Sequence, residues 1–153
     1  METHTHNWLE RTELLLGSDG GENLKMLFTV LKRGDKLKVH EESTVSDLCD
    51  MGLRFDLTLP LSRFYSNNAG ELETPFKAIQ IGNVFRAERP QKGRYRSFKQ
   101  CDIDIIGDPT VSAEMELINT TSKALMAIGF EGFTIKVNDR KLLNAFIAKA
   151  GFK

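Results

Sequence analysis

The sequence is poor in the features that mark specialised classes of protein. Only two cysteines, Cys49 and Cys101, occur in 153 residues, far apart and without metal-ligand spacing. That pattern excludes a disulfide-stapled scaffold and a zinc ribbon, and it reads as two reduced thiols in a cytosolic protein. No apolar run approaches the length of a membrane span. The first residues, METHTHNWLERTE, are polar and lack the apolar core of a signal peptide. Net charge is absent too: 21 basic residues balance 21 acidic ones, which argues against a protein coated in bulk nucleic acid. There is no Walker loop, no GxGxxG and no HExxH, and no internal repeat. Histidine is scarce. His4 and His6 sit at a terminus where a metal clip is less expected than fraying, and His40 alone does not make a Ser/His/Asp triad.

What remains is an ordinary globular composition, 41% hydrophobic and 27% charged, in a chain long enough for about one domain. The pattern predicts a helix over LERTELLLG, a Gly-rich turn from Gly17 to Gly21, and a strand from Met26 to Leu31. A Gly34-Asp35 hairpin turn leads back along Lys36 to His40, and Glu41 to Asp50 reads as loop or a short irregular turn. Leu53 to Leu57 has strand character. Thr58 is placed to cap a helix reaching about Asn67, with Pro60 in its first turn. Strands are expected at 77–86 and 98–106, joined by a loop holding Pro90 and Gly93. Helical spacing follows from Val111 to Ile128, stopped by Gly129, then a short strand at 134–138. A last helix opens at Asn138 or Asp139, carries the stripe Leu142, Leu143, Phe146 and Ile147, and ends at Gly151. Hairpin-linked strands with helices at the ends imply an α+β domain, an antiparallel sheet covered by helices.

Charge is concentrated in one place. From Arg86 to Lys99 there are six cations (Arg86, Arg89, Lys92, Arg94, Arg96 and Lys99) and one acid, Glu88. A loop of this kind, tethered to strands at both ends, suits a polyanion held over a rigid floor. In the strand that follows, Gln100, Asp102 and Asp104 alternate onto one face and Cys101, Ile103 and Ile105 onto the other. Two carboxylates would not be accepted on a strand face buried without partners. The face is therefore either a solvated sheet edge or a site where anions and cations converge on a ligand bearing both signs. LRFDLT offers a second acid, Asp56. With Phe55 toward the core, Arg54 and Asp56 would face away, beside the loop cations, and Thr58 would add a hydroxyl. Asp56 serves equally as a dipole partner of the helix that follows. Phe98 is suited to stack on a base or to fill the core. The loop taken alone is also consistent with a solvated, RNA-facing charge run.

FRAERPQKGRYRSFKQCDIDIIG, from Phe85 to Gly107, resembles motif 2 of the class II aminoacyl-tRNA synthetases in its histidyl-tRNA synthetase form. LRFDLTLPLSRF resembles that family's histidine-binding segment, and VNDRKLL resembles its sequence after motif 2, so the likeness runs from about Leu9 to Leu143. The resemblance implies part of a class II catalytic core and a histidine–tRNA ligase acting in the cytoplasm on L-histidine, ATP and tRNA(His), with Mg²⁺ carried on the ATP. It implies that Arg86 holds the α-phosphate and the substrate carboxylate as charge develops there. Glu88 would read adenine and Phe98 stack on it, while Arg94 would grip the γ-phosphate side. Asp56, Thr58 and Gln100 would bind the amino end of histidine, and Asp104 its imidazole.

The same resemblance sets expectations about what is missing. The motif 1 proline, the second histidine motif, motif 3 with its arginine and the anticodon-binding domain have no counterpart here. The expectation is therefore a partial catalytic domain over residues 1–153 that keeps ATP or histidine contacts and makes adenylate poorly. The family is homodimeric, and apolar surface left uncovered predicts self-association or limited solubility. The alternative is a non-catalytic relative, such as a histidine-sensing regulatory subunit of ATP phosphoribosyltransferase or a tRNA-binding module. Such relatives generally lose the motif 2 loop, whereas Arg86, Glu88, Arg94 and Gln100 are all present.

Overall fold

Residues 7–17 and 25–151 are described in the computed structural model. They fall into two units, Met1–Asp108 and Pro109–Lys153. His4, His6 and most of the Gly17–Gly21 turn lie outside the described residues.

The first unit contains β1 (Leu9–Arg11), α1 (Thr12–Gly17), β2 (Thr29–Leu31), α2 (Val45–Leu48), β3 (Cys49–Leu53), α3 (Thr58–Asn68), β4 (Phe76–Phe85) and β5 (Ser97–Ile106). β3 is the middle strand of a three-stranded antiparallel sheet, with Leu9 opposite Leu53 and Thr29 opposite Gly52. Gly52 is required there. A Cβ would lie 2.9 Å from Leu15 Cδ1 and 3.1 Å from the Phe28 carbonyl, so only glycine lets α1 approach the strand this closely. β4 and β5 form a long antiparallel hairpin, in register from Phe76↔Ile106 to Phe85↔Ser97.

Backbone bonds tie the two sheets together. The Arg54 amide donates to the Trp8 carbonyl (2.9 Å), the Phe85 amide to the Arg54 carbonyl (3.0 Å) and the Ala87 amide to the Met26 carbonyl (2.8 Å). Trp8 packs on Phe85 with ring centroids 5.4 Å apart. α3 lies along β4, where Phe64 and Tyr65 meet the Phe76 ring at 6.1 and 5.8 Å. Leu57, Leu61 and Val84 are buried at this junction, and Leu15, Leu27 and Cys49 are buried in the same unit. Both Cys49 and the exposed Cys101 are free thiols.

The α+β expectation holds, with antiparallel pairing throughout and two sheets rather than one. α3, β4, β5 and the loop between the last two fall where alternation and punctuation placed them. Elsewhere local expectations fail. The helix expected over LERTELLLG begins as a strand: Leu9–Arg11 pairs with β3, and only Thr12–Gly17 is helical. Residues 36–40 do not return as a hairpin. Gly34–Lys36 is a single 3₁₀ turn, and β2 takes β3 as its partner. Within 41–50, read as loop or short irregular turn, the turn is the single helical turn α2: the Asp47 carboxylate accepts from both the Thr44 hydroxyl (2.6 Å) and the Thr44 amide (2.9 Å) and so caps it. Those bonds hold the Asp47 carboxyl below its ordinary value. The strand expected at 53–57 lies four residues earlier, and Thr58 is the first residue of α3 rather than its cap. The Asp56 carboxylate instead accepts from the Thr58 amide at 3.1 Å.

The second unit holds α4 (Val111–Ala127) and α5 (Arg140–Lys149). Thr110 caps α4 by accepting from the Ser112 amide (3.3 Å), and Gly129 ends it at φ +90°. Asp139 caps α5 by accepting from the Lys141 amide (2.7 Å). The strand expected at 134–138 is absent among the described residues.

Candidate functional site

A hairpin in full register places cross-strand partners on the same face. Opposite pairs Ala78↔Asp104, Gln80↔Asp102, Gly82↔Gln100 and Val84↔Phe98 therefore form one surface. β4 contributes small or neutral residues to it, and β5 contributes the polar ones. On the other surface Ile79 pairs with Ile103 and Ile81 with Cys101. Of the two alternating sets on β4, the one holding Gln80 and Val84 is buried, while Ile79 and Ile81 are exposed.

On this inward surface the side chains bond to one another. Gln100 Nε2 donates to both oxygens of Asp102 at 2.8 Å, and Gln80 Nε2 reaches Asp104 Oδ2 at 3.4 Å. Burial pushes the Asp104 carboxyl above its ordinary value. The bond from Gln80 opposes this, and the charges of Asp102 and Asp56 add to the rise. Asp56, Asp102 and Asp104 thus form one anionic neighbourhood. The side-chain oxygens Oε1 of Gln80 and Gln100 are buried without a hydrogen-bond partner. Desolvated acceptors beside carboxylates suit a ligand rich in N–H donors, such as an ammonium or an imidazole.

The cations stand where β4 leaves the sheet. Arg86 is held against two rings, its guanidinium carbon 4.2 Å from the Phe55 centroid and 5.2 Å from that of Phe98. Its Nε donates to the Phe55 carbonyl at 3.3 Å, and its amide donates to the Arg96 carbonyl at 2.8 Å, closing the base of the loop. Arg96 Nε donates to the Glu88 carbonyl (3.1 Å), and Arg94 pairs with the Glu88 carboxylate (3.2 Å). At the tip Gln91 and Arg94 exchange backbone bonds around Gly93, whose φ of +78° favours glycine. The loop is thus a braced hairpin end.

Every residue singled out from the sequence lies in the first unit. Gln100, Asp104 and Phe98 share one sheet face, and Asp56 acts electrostatically on Asp104. Phe98 has Arg86 over its ring, and Arg94 and Glu88 are paired in the loop. One placement is corrected. Arg54 does not face away with the loop cations. It is 4% exposed and lies on the inward surface of β4, because Gly82 leaves room for it: a Cβ there would be 2.7 Å from Arg54 Nη2. Sequence reasoning also missed Glu10, buried in β1 and ion-paired with Arg63 of α3. The available signal was a charged residue at the middle, inward position of a short strand, hidden by the reading of that segment as helix.

A family model described as "Histidyl-tRNA synthetase" matches residues 28–153. The chain is 54% identical over 138 residues to the histidine–tRNA ligase of Leifsonia xyli subsp. xyli, covering 87% of this chain and 32% of that protein. Among solved structures, histidyl-tRNA synthetase from Nostoc sp. PCC 7120 superposes with a TM-score of 0.68 at 24% identity, over 97% of this chain and 31% of that one. A protein from Bacillus halodurans C, described as an ATP phosphoribosyltransferase regulatory subunit/histidyl-tRNA synthetase, gives 0.74 at 24% identity, over 97% and 34%. These two likenesses bear on fold alone. The chain spans about a third of the length of the curated relatives it matches.

Proposed function

The chain belongs to the histidyl-tRNA synthetase family, and from that premise we propose that its first unit binds histidine and ATP for the chemistry of a histidine–tRNA ligase. The observation that carries this reading is the acid-and-amide floor of Asp56, Gln80, Gln100, Asp102 and Asp104, in the same unit as Arg86 braced between Phe55 and Phe98. Asp56, Thr58 and Gln100 take the α-ammonium, and Asp104 accepts from the imidazole. Arg86 bridges the histidine carboxylate and the ATP α-phosphate. Glu88 and Phe98 take the adenine, and Arg94 the γ-phosphate end. A carboxylate oxygen then attacks the α-phosphorus in line, an O–P bond forms as the bond to pyrophosphate breaks, and histidyl-adenylate results. A hydroxyl at the 3′ end of tRNA(His) then attacks the histidyl carbonyl carbon, an ester bond forms as the anhydride bond breaks, and AMP leaves. The protein's part is positioning and electrostatic stabilisation.

ATP enters as its magnesium complex in this reading. The ion is carried on the phosphates of the substrate. The chain supplies the motif 2 part of a class II catalytic domain, and the complete reaction draws on further segments like those in its longer relatives. Homodimer formation and a cytoplasmic site belong to the same reading; no described helix is long and apolar enough to cross a membrane.

The test is thermal stabilisation by each ligand. Saturating a site to about 100 times Kd adds about 2.7 kcal/mol. MgATP and histidine should each raise the melting temperature, and Arg86→Ala should remove the ATP response. A response to histidine alone would favour a regulatory histidine sensor, and no response to either in folded protein would refute the proposal.

A further inference from the structure

We infer that Arg54, backed by Glu10, is a positioning residue that sets the Arg86 guanidinium in place; this rests on the assignment of Arg86 to the substrate carboxylate. Residues 54 and 55 grip the end of β4 at several points. Arg54 Nε donates to the Asn83 carbonyl at 2.7 Å, and the Arg54 carbonyl accepts from the Phe85 amide at 3.0 Å. The next residue, Phe55, offers its carbonyl to Arg86 Nε and its ring to the guanidinium. The mount of Arg86 is therefore built from the residue beside Arg54 and the strand end that Arg54 holds.

Arg54 is in turn held from two sides. Above it is Gly82, with no side chain to displace the guanidinium. The charge of Glu10, 1% exposed and ion-paired with Arg63, favours the protonated guanidinium. A planar fork can serve a carbonyl with Nε while keeping its charge by a carboxylate. A lysine ammonium, as a single point, would have to choose. The arrangement also explains why a buried arginine accompanies a site whose other charges face the ligand. It contacts the support of the reactive arginine and is not itself assigned to substrate.

The experiment compares histidine with histidinol, which lacks the carboxylate, by calorimetry on the whole chain. Arg86 acts on the carboxylate, so the wild type should prefer histidine by about tenfold or more. Two variants disturb Arg54 from opposite sides: Arg54→Lys removes the fork, and Gly82→Ala pushes on Nη2. Each should bring the histidine/histidinol ratio toward one, as Arg86→Ala does, with histidinol affinity changed by less than about twofold, within the spread of a minor structural effect. Melting curves identify which variants remain folded, and either one suffices. An undiminished ratio in a folded variant overturns the inference, and so does a parallel loss of both ligands, the mark of general loosening. A wild type that fails to prefer histidine refutes the Arg86 assignment itself, and the inference falls with it.

Discussion

Replacing Glu10 by glutamine should destabilise the first unit by about 3 kcal/mol. Glu10 is the middle residue of β1 and 1% exposed, and one oxygen accepts from Arg63 while the other is buried without a hydrogen-bond partner. The burial of Arg54 pushes its pKa below the ordinary arginine value, and the charge of Glu10 raises it again. Glutamine keeps the shape and removes the charge, taking from Arg63 its ion-pair partner and from the buried Arg54 guanidinium a charge that favours it. Breaking a buried pair from one side costs about 3–5 kcal/mol. The Arg63 side chain is 42% exposed and recovers hydration, so the lower end applies. Against the roughly 5–15 kcal/mol stability of a typical domain this is a large fraction, equivalent to a fall in melting temperature on the order of 10 °C. Urea unfolding followed by circular dichroism measures it, with the denaturant slope unchanged. A loss below about 1 kcal/mol would refute the argument, because it would mean that the Glu10 charge does not compensate Arg54.

Two further outcomes follow from the packing and the charges. Leu57→Ala removes a side chain that is 1% exposed at the α3–β4 junction, and it should cost about 2–5 kcal/mol in the same assay. A smaller loss would mean the junction collapses to fill the space. Asp104 has its carboxyl pKa raised in the folded state, chiefly by burial. Folding therefore takes up a proton between the ordinary value and the raised one, and stability falls as pH rises through that window. Asp104→Asn should remove this slope, giving a gain under about 1 kcal/mol at neutral pH, solvent screening keeping it small, that vanishes below the ordinary carboxylate range. Melting temperatures of both proteins across pH would check the sign, and a variant less stable than the wild type at neutral pH but not at acid pH would contradict it.

The parts of the fold legible in the sequence were those whose signal is local. Alternation from Gln100 to Ile105 put Gln100, Asp102 and Asp104 on one side of β5, and Pro90 with Gly93 marked the loop. β1 was not legible, since three residues of LER carry no period and Leu9–Arg11 becomes a strand only by pairing with β3, more than forty residues away. The expected hairpin partner of β2 failed for a related reason. Gly34-Asp35 is a strong turn signal, yet a turn does not choose the partner of the strand before it.

By itself the sequence determined the residue types of the candidate site, their alternation along β5 and the concentration of cations between two strands. Those are properties of neighbours in the chain, set by backbone geometry within a few residues. Tertiary structure decided which acceptors are desolvated, that Asp104 is pushed toward protonation, and that Arg54 turns inward beneath Gly82. Burial and charge coupling depend on distances between segments far apart in the chain. Only the pairing of β1 with β3, and the backbone bond from Phe85 to Arg54, bring Glu10, Arg54 and Arg86 into one support.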